Sequence, residues 1–181
     1  GLEYCPQSSL KAVFKPFSLP LNDVSVVIVG QDPYPDIKVA TGIAFDADDT
    51  IPYSLEIIQE TYCQEVHGTG RSVDNPFPHL KNWANDGVLL LNSHLTCDVG
   101  KPNSHAGYWS PIREVIKKIS DSRTDVAFCL WGASASRLIS LISEDNYVFN
   151  TNHPASVAHG YEFKPRFKEL VKMFPELDLP F

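Results

Sequence analysis

Four short runs of apolar residues recur along the chain, and each is bounded by glycine or by polar residues. Unbroken runs of this length, rich in valine, isoleucine, leucine and phenylalanine, are typical of strands buried on both faces of a sheet. They predict strands at residues 25–30, 88–92, 126–131 and 147–150. A weaker pattern at residues 41–45 predicts a further short strand or extended segment.

Between these strands, apolar residues recur at helical spacing. The clearest pattern predicts a helix over residues 54–66, for which Ser54 is a candidate N-cap residue. A second amphipathic helix is predicted over residues 111–120. Weaker patterns predict helices over residues 8–14, 79–85, 133–143 and 163–174.

The alternation of strands and helices predicts the fold class. Strands that are separated by helices pair in parallel and are covered on both faces, which predicts an α/β fold: a three-layer α/β/α arrangement with a central four-stranded, mostly parallel twisted sheet. At 181 residues, the chain is expected to form a single domain over residues 1–181. Residues 1–23 are expected to add a short helix and a loop that pack on it.

The composition bears on the cellular location of the protein and on whether it binds a metal or a membrane. No apolar run approaches the roughly 20 residues that cross a bilayer, and no signal-peptide pattern opens the chain. The four cysteines are scattered and form no C-x-x-C pair, which argues against zinc and iron–sulfur sites. We therefore expect an intracellular protein, cytoplasmic or nuclear, with free thiols, no bound metal and no membrane contact.

The charge balance bears on nucleic acid as a partner. A net charge of −7 argues mildly against DNA binding, because phosphate contacts need lysine and arginine. The basic residues are unevenly distributed, however, and several lie close together near the end of the chain, at Lys164, Arg166, Lys168 and Lys172. A local basic patch of this kind still permits DNA binding.

Residues with useful chemistry follow the predicted strands. Asp32, Asn92 and His153 come at or just after the ends of three strands, and Gly132 follows the remaining one. Taken alone, Asp32 or Asn92 could cap a turn, and His153 could be an exposed turn residue. Parallel strands, however, end at one edge of the sheet, where open α/β sheets bind ligands. Their joint placement therefore favours a functional site.

The segments around these residues resemble a known family. GQDPY (30–34), GIAF (42–45), SLEII (54–58), GVLLLN (87–92), NSH (103–105), LWG (130–132) and HP (153–154) occur in the order and at the spacing of the uracil-DNA glycosylases, family 1. The resemblance extends from Pro16 onward. It implies an enzyme that hydrolyses the N-glycosidic bond of deoxyuridine in DNA by a base-flipping mechanism, without a cofactor, and so initiates base-excision repair.

The resemblance implies that Asp32 and His153 are the catalytic residues. Breaking the glycosidic bond leaves positive charge on the sugar and negative charge on the departing base. The Asp32 carboxylate would stabilise the sugar cation and orient the attacking water. His153, as a neutral imidazole, would donate a hydrogen bond to uracil O2 as charge builds there.

Four further residues are implied in the uracil pocket. The amide of Asn92 would complement uracil O4 and N3–H and would mismatch cytosine. Phe45 would stack on the base, and Tyr34 would exclude the methyl group of thymine. Gln31 is expected to line the same pocket.

The resemblance places DNA contacts in the loops around this pocket. Val157 would enter the stack that the flipped base leaves, although an ordinary loop position is an alternative for this residue. Ser54 matches a serine that contacts a flanking phosphate in the family. The other expected DNA contacts are Pro33, Gly132, Ala133, Ser134, Pro154 and Ser156.

The chain departs from the family's pattern at several positions. Pro35 stands where the family has a histidine near the acid. Ala133, Ala155 and Ala158 stand where it has serines that hold DNA phosphates, although Ser134 and Ser156 lie next to two of these alanines and could substitute in part. These changes favour a weaker hold on DNA. They leave an alternative hypothesis, a glycosylase-fold DNA-binding or replication-complex subunit with weak or vestigial catalysis.

Partners are also implied by the resemblance. They are uracil-containing DNA, single- or double-stranded, and a candidate protein inhibitor that mimics DNA. No lysine follows a strand end, so cutting of the strand through a Schiff base is not expected. We expect the protein to act as a monomer.

Overall fold

The centre of the fold is a parallel sheet. The computed structural model describes residues 3–7, 9–69 and 80–177, without the side chains of Lys81 and Glu176. Within these ranges the strands are β1 (Tyr4–Cys5), β2 (Val26–Gly30), β3 (Val88–Asn92), β4 (Cys97–Asp98), β5 (Ala127–Trp131) and β6 (Tyr147–Thr151). Four of these described strands form a parallel sheet in the order β3-β2-β5-β6. The predicted central sheet is confirmed.

The two faces of the sheet belong to separate clusters of buried residues. In β2, Val26 and Ile28 face one cluster, whereas Val27 and Val29 face the other. Every residue of β2, β3 and β5 is buried. This burial on both faces explains why the sequence shows unbroken apolar runs rather than the alternation of a half-exposed strand.

Helices cover both faces. The α-helices of the described ranges are α1 (Leu10–Val13), α2 (Tyr53–Tyr62), α3 (Leu80–Asn85), α4 (Ile112–Ser122), α5 (Ala133–Ser136) and α6 (Phe167–Met173). Ile58 of α2 and Phe167 of α6 pack into one cluster, and Ile116 of α4 packs into the other. The predicted three-layer α/β/α arrangement is confirmed.

Residues 41–45 do not form the strand or extended segment that the sequence predicts. They form bends and a turn, with left-handed backbone at Gly42 (φ 92°) and at Phe45 (φ 62°). A Cβ atom on Gly42 would lie 2.1 Å from the backbone oxygen of Ala12, so only glycine fits there. A hydrophobic pattern carries no signal for such a turn, and the prediction is wrong.

The predicted helix over residues 54–66 is shifted at both ends. It begins at Tyr53, with Pro52 as its N-cap residue and no side-chain cap. The prediction of Ser54 as the N-cap residue is therefore wrong, because Ser54 lies inside the first turn and is buried. Beyond Tyr62 the chain continues as a π-helical segment, Cys63–His67.

Two later helices are shorter than predicted. Only Ala133–Ser136 is α-helical in the segment 133–143, followed by a 3₁₀ turn at Ile139–Leu141. The hydroxyl of Ser136 bonds to the backbone oxygen of Gly132, a local bond that competes with helix propagation. In the segment 163–174 the helix begins at Phe167, because the preceding Arg166 is left-handed, with φ 62°.

The remaining predictions fall close to the structure. The helix predicted at 8–14 is present as the shorter α1, which is capped by Ser9, whose side chain accepts from the Ala12 backbone N–H at 3.2 Å. Residue 8 lies outside the described residues. The helix predicted at 79–85 is confirmed from Leu80 onward, and residue 79 lies outside the described residues. The sequence did not predict β1 and β4, which pair antiparallel. None of the helices in the described ranges is long and apolar enough to span a membrane.

Candidate active site

A pocket lies at the carboxyl ends of the parallel strands. Asp32 follows β2, Asn92 ends β3 and His153 follows β6, and all three line one cavity of about 290 Å³. Gly132, after β5, has left-handed backbone (φ 100°), and a Cβ atom there would lie 3.0 Å from the Cβ atom of His153. The predicted convergence of the strand ends is therefore present.

The Asp32 carboxylate is held by two donors. Its Oδ1 atom accepts a hydrogen bond from Gln31 Nε2 at 3.0 Å, and its Oδ2 atom accepts one from the backbone N–H of Asn103. Asn103 adopts left-handed backbone (φ 62°), which turns its N–H toward the acid. These bonds fix the orientation of the carboxylate at the edge of the pocket.

The loop that carries Asp32 is supported by the segment after β3. The backbone N–H of His94 donates to the oxygen of Gln31 at 2.9 Å, and that of Gly100 donates to the oxygen of Pro35 at 2.7 Å. The Cys97 thiol donates to the oxygen of Pro33 at 3.4 Å. Sequence reasoning missed this support, for which only the NSH segment gave any signal.

His153 is oriented as a neutral hydrogen-bond donor. Its Nδ1 atom accepts a hydrogen bond from the backbone N–H of Ala155 at 3.2 Å. Burial lowers the pKa of His153 from its ordinary value, and the nearby Asp32 charge acts in the opposite direction. With Nδ1 used as an acceptor, the neutral imidazole carries its proton on Nε2, where it can be donated.

Phe45 and Asn92 form the part of the pocket nearest to β2 and β3. Asn92 is 5% exposed and lies opposite Gly30 in the sheet. A Cβ atom on Gly30 would come within 2.8 Å of the Phe45 ring and 2.9 Å of Asn92 Oδ1, so only glycine leaves room for both side chains. The Phe45 ring lies 5.5 Å from the His153 ring, between centroids.

Tyr34 is fixed on the neighbouring wall. Its hydroxyl donates to the backbone oxygen of Phe45 at 3.1 Å and shares a 2.8 Å hydrogen bond with Ser54 Oγ. Burial raises the pKa of Tyr34, the bond to Ser54 lowers it, and the charge of Asp46 raises it. The ring is therefore held in place by its hydroxyl.

Asp46 also lines the pocket, and sequence reasoning missed it. It is 3% exposed, and its Oδ1 atom has no hydrogen-bond partner among the described residues. Its position directly after the GIAF segment was the only available signal.

The residues predicted to contact DNA differ in exposure, and of them Pro33 and Ser54 line the pocket. Ala133 is exposed, while Ser134, Ser156 and Val157 are partly buried, and Val157 packs against a core cluster. Pro33, Ser54 and Pro154 are buried, and the hydroxyl of Ser54 is bonded to Tyr34. The hydroxyl of Ser156 donates to the backbone oxygen of His153 at 2.6 Å.

The described residues were also compared with the side-chain clusters that bind metal ions. Within the part of the chain that the structure describes, no cluster of three or more His, Cys, Asp or Glu side chains could hold a metal ion.

The proteins whose sequences resemble this chain are uracil-DNA glycosylases. The family model of the uracil DNA glycosylase superfamily matches residues 16–177. The uracil-DNA glycosylase of Streptococcus gordonii is 39% identical over 143 residues, which cover 76% of this chain and 63% of the relative. That of Borrelia turicatae is 37% identical over 176 residues, which cover 93% of this chain and 77% of the relative.

A solved structure shares the fold. The crystal structure of a mimivirus UNG variant in complex with UGI superposes with a TM-score of 0.76 at 25% identity. The superposition covers 86% of this chain and 59% of the mimivirus chain. The matched part thus spans less than two thirds of both the streptococcal and the mimivirus proteins.

Proposed function

Because the chain belongs to the uracil-DNA glycosylase superfamily, we propose that it hydrolyses the N-glycosidic bond of deoxyuridine in DNA. The reaction releases uracil, leaves an abasic site and would initiate base-excision repair. One observation carries the proposal: Asp32, Asn92 and His153 line a single pocket with the Phe45 ring. This pocket combines an anion, an amide, a neutral donor and a stacking surface.

Asp32 would act at the sugar. Departure of uracil leaves an oxocarbenium-like sugar, which a carboxylate stabilises through charge. The bonds from Gln31 Nε2 and the Asn103 N–H occupy one lone pair on each carboxylate oxygen. The remaining lone pairs are available to orient an attacking water. Fixing the acid before substrate arrives removes a reorganisation cost from the transition state.

His153 would act at the base. Negative charge develops on uracil O2 as the bond breaks, and the Nε2–H of His153 is free to donate to it. Burial keeps the pKa of His153 low, which favours the neutral ring. A neutral ring keeps the Nδ1 bond to Ala155, so the donor stays aimed into the pocket.

The walls of the pocket would select uracil. The Asn92 amide complements O4 and N3–H of uracil, and the Phe45 ring offers a face for stacking. A base inside a duplex cannot reach these groups, so the nucleotide must leave the helix. None of the described residues that line the pocket is a lysine, which supports hydrolysis without strand cutting.

The direct test is release of free uracil from single-stranded and double-stranded oligonucleotides that contain deoxyuridine. Release from the deoxyuridine strand, and none from a matched thymidine strand, is the expected result. Absence of release together with intact DNA binding would contradict the proposal. It would favour a DNA-binding subunit with vestigial catalysis and make Pro35→His the first reversion to try.

Replacing Tyr34 by alanine is expected to admit thymine. The Tyr34 ring fills the wall of the pocket and is held by Phe45 and Ser54, so its removal opens space for a 5-methyl group. Release of free thymine from an oligonucleotide that carries a T:A or T:G pair measures the effect.

The matched control is Tyr34→Phe. It removes both hydroxyl bonds but keeps the ring, so the steric wall remains and thymine stays excluded. If Tyr34→Ala releases no thymine, another group enforces the selectivity. If Tyr34→Phe releases thymine as well, the hydroxyl bonds rather than the ring bulk are responsible.

The affinity for DNA is expected to fall early as salt rises, because few contacts to phosphate are available. Two of the basic side chains near the end of the chain are paired with acids: Lys164 Nζ lies 2.6 Å from Glu162, and Arg166 pairs with Glu169. With alanines at 133, 155 and 158, few uncharged contacts remain to hold phosphates. We expect kcat/KM to fall about tenfold between about 20 mM and about 150 mM salt.

The comparison variant for the salt prediction is Ala133→Ser, which adds a hydroxyl at an exposed position directly after Gly132. It should raise kcat/KM at the higher salt more than at the lower. A flat response of the unmodified protein over this range would contradict the prediction.

The proposal extends to partners and cellular setting. The mimivirus UNG variant was crystallised with UGI. We propose that a protein inhibitor that mimics DNA binds this chain at the face that carries the pocket. Free cysteines throughout the described chain support an intracellular location. We further propose that the chain acts as a single-domain monomer, which sedimentation would test.

A further inference from the structure

Two cysteines lie directly opposite each other beside the loop that carries Asp32. Cys5 of β1 and Cys97 of β4 are register partners in an antiparallel pair. The pairing continues to Glu3 and Val99, joined by a 3.4 Å backbone hydrogen bond. Opposed residues of antiparallel strands have Cα atoms about 4.5–5.5 Å apart, which is within the range of about 4.4–6.8 Å that a disulfide bridges.

The two thiols are in contact and enclosed. Both side chains are 0% exposed, and together with Ala40 they form one buried cluster. Both cysteines are free in this structure. The other two cysteines lie elsewhere, Cys129 within β5 and Cys63 at the end of α2.

Cys97 also contacts the catalytic loop. Its Sγ atom donates a hydrogen bond to the backbone oxygen of Pro33 at 3.4 Å, and Pro33 directly follows Asp32. The thiol proton is therefore part of what holds this loop in position. A reaction that removed the proton would remove the bond.

We propose that Cys5 and Cys97 are a redox-sensitive pair that closes to a disulfide and thereby loosens the loop that carries Asp32. With a hydroperoxide as oxidant, one sulfur attacks the peroxide oxygen, the O–O bond breaks and a sulfenic acid and water form. The second thiol attacks that sulfur, the S–O bond breaks and a second water leaves. Two thiols and one hydrogen peroxide thus give one disulfide and two waters. Only the effect on activity rests on the proposed function.

The reaction is expected to be slow in the folded protein. Burial raises the pKa of Cys97 to about 12, with nearby acids adding to the effect, and burial also raises the pKa of Cys5. Both groups are therefore thiols at neutral pH, and the thiolate is the reactive form. The proposed pair responds to sustained oxidation rather than to a brief pulse.

The first measurement maps the bond. The purified protein is treated with hydrogen peroxide, remaining thiols are alkylated, and the digest is analysed by mass spectrometry without reduction. The expected result is a peptide pair linked through Cys5 and Cys97, with Cys63 and Cys129 alkylated after denaturation. A different pairing, or sulfinic acid at these positions without a disulfide, would overturn the proposal.

The second measurement determines hydrogen exchange in the loop that carries Asp32 and kcat on deoxyuridine DNA, before and after oxidation. Oxidation should speed hydrogen exchange at the amides of Asp32 and Tyr34, and dithiothreitol should reverse this. On deoxyuridine DNA, kcat should fall about fivefold, the size expected for loss of one hydrogen bond. A disulfide that changes neither exchange nor kcat would overturn the proposed effect on the loop.

Two variants separate this pair from general oxidative damage. Cys5→Ser cannot form the disulfide but keeps the Cys97 bond to Pro33, so its loop exchange and kcat should resist peroxide. Cys63→Ser should respond as the unmodified protein does. A reduced protein that releases no uracil would contradict the proposed function, while mapping and exchange would still decide the redox proposal.

Discussion

Asp32→Asn is expected to lower the single-turnover rate of uracil release about 10³-fold. The substitution keeps the size of the side chain but removes the negative charge that we propose stabilises the sugar cation. It also disturbs the local bonds, because both carboxylate oxygens accept hydrogen bonds, from Gln31 and from the Asn103 N–H. An amide has only one oxygen, so one of these donors would face an NH₂ group. Rapid mixing of excess enzyme with a labelled oligonucleotide measures the rate.

The matched control for this prediction is Asp36→Asn, the same substitution in the same loop. Asp36 is exposed, and its Oδ1 atom accepts a hydrogen bond from the backbone N–H of Lys38, which an asparagine oxygen can also accept. Its rate should be unchanged. DNA binding by Asp32→Asn, measured by anisotropy, should also be retained, because the carboxylate does not attract phosphates. A near-normal rate for Asp32→Asn would remove the acid from the mechanism.

This experiment also separates the two interpretations left by the sequence. Release of uracil that depends on Asp32 would be chemistry at the pocket. If the unmodified protein and Asp32→Asn bind DNA equally well and neither releases uracil, the chain would be a DNA-binding subunit. Pro35 is the first residue to examine in that event, because it lines the pocket and directly follows Tyr34.

The positions of the main pocket residues could be predicted because they depend on topology. Each buried strand is an unbroken apolar run, and the parallel arrangement brings the strand ends to one edge. Asp32, just beyond such a run, is therefore placed by the sheet itself. His153 is also placed by the sheet, although the strand before it, β6, lies at the edge and has Phe149 as its one buried residue. No knowledge of side-chain contacts is needed for that inference.

The shape of the pocket could not be predicted because it depends on backbone turns and on distant contacts. Phe45 reaches the pocket through a left-handed turn (φ 62°), which a non-glycine residue rarely adopts. Its local sequence suggested an extended segment instead. Serine is a residue type that often caps helices, yet the hydroxyl of Ser54 bonds to Tyr34, 20 residues away. A tertiary contact overrides the local preference at this position.

The support of Asp32 was the least visible feature in the sequence. The bond from Asn103 to the acid joins residues 71 positions apart. It depends on the left-handed backbone of Asn103 and on the pairing of the segment after β3 with the loop after β2. Neither periodicity nor composition encodes such a contact. The contact that fixes the Asp32 carboxylate therefore became apparent only from the structure.

His153→Leu is expected to lower the single-turnover rate about 10²- to 10³-fold, as the loss of one donor to a developing oxyanion does. Leucine fills much of the same volume but cannot donate to uracil O2. The Nδ1 bond to Ala155 and the contact with Phe45 are also lost, so the fold of the variant is checked by thermal melting. His159→Leu is the matched control, since His159 is exposed at the far end of the 3₁₀ segment Pro154–His159, which begins directly after His153. Its rate should be unchanged.

The protonation state of His153 gives this prediction a second readout. Because burial lowers the pKa of His153, the ring should be neutral at pH 7, and its NMR titration midpoint should lie below the usual value of about 6.5. Acid places a proton on Nδ1, where it faces the N–H of Ala155 and breaks the bond that orients the ring. A midpoint above the usual value would mean that an imidazolium donates to the base. The charge of Asp32, which favours the protonated ring, would then dominate over burial.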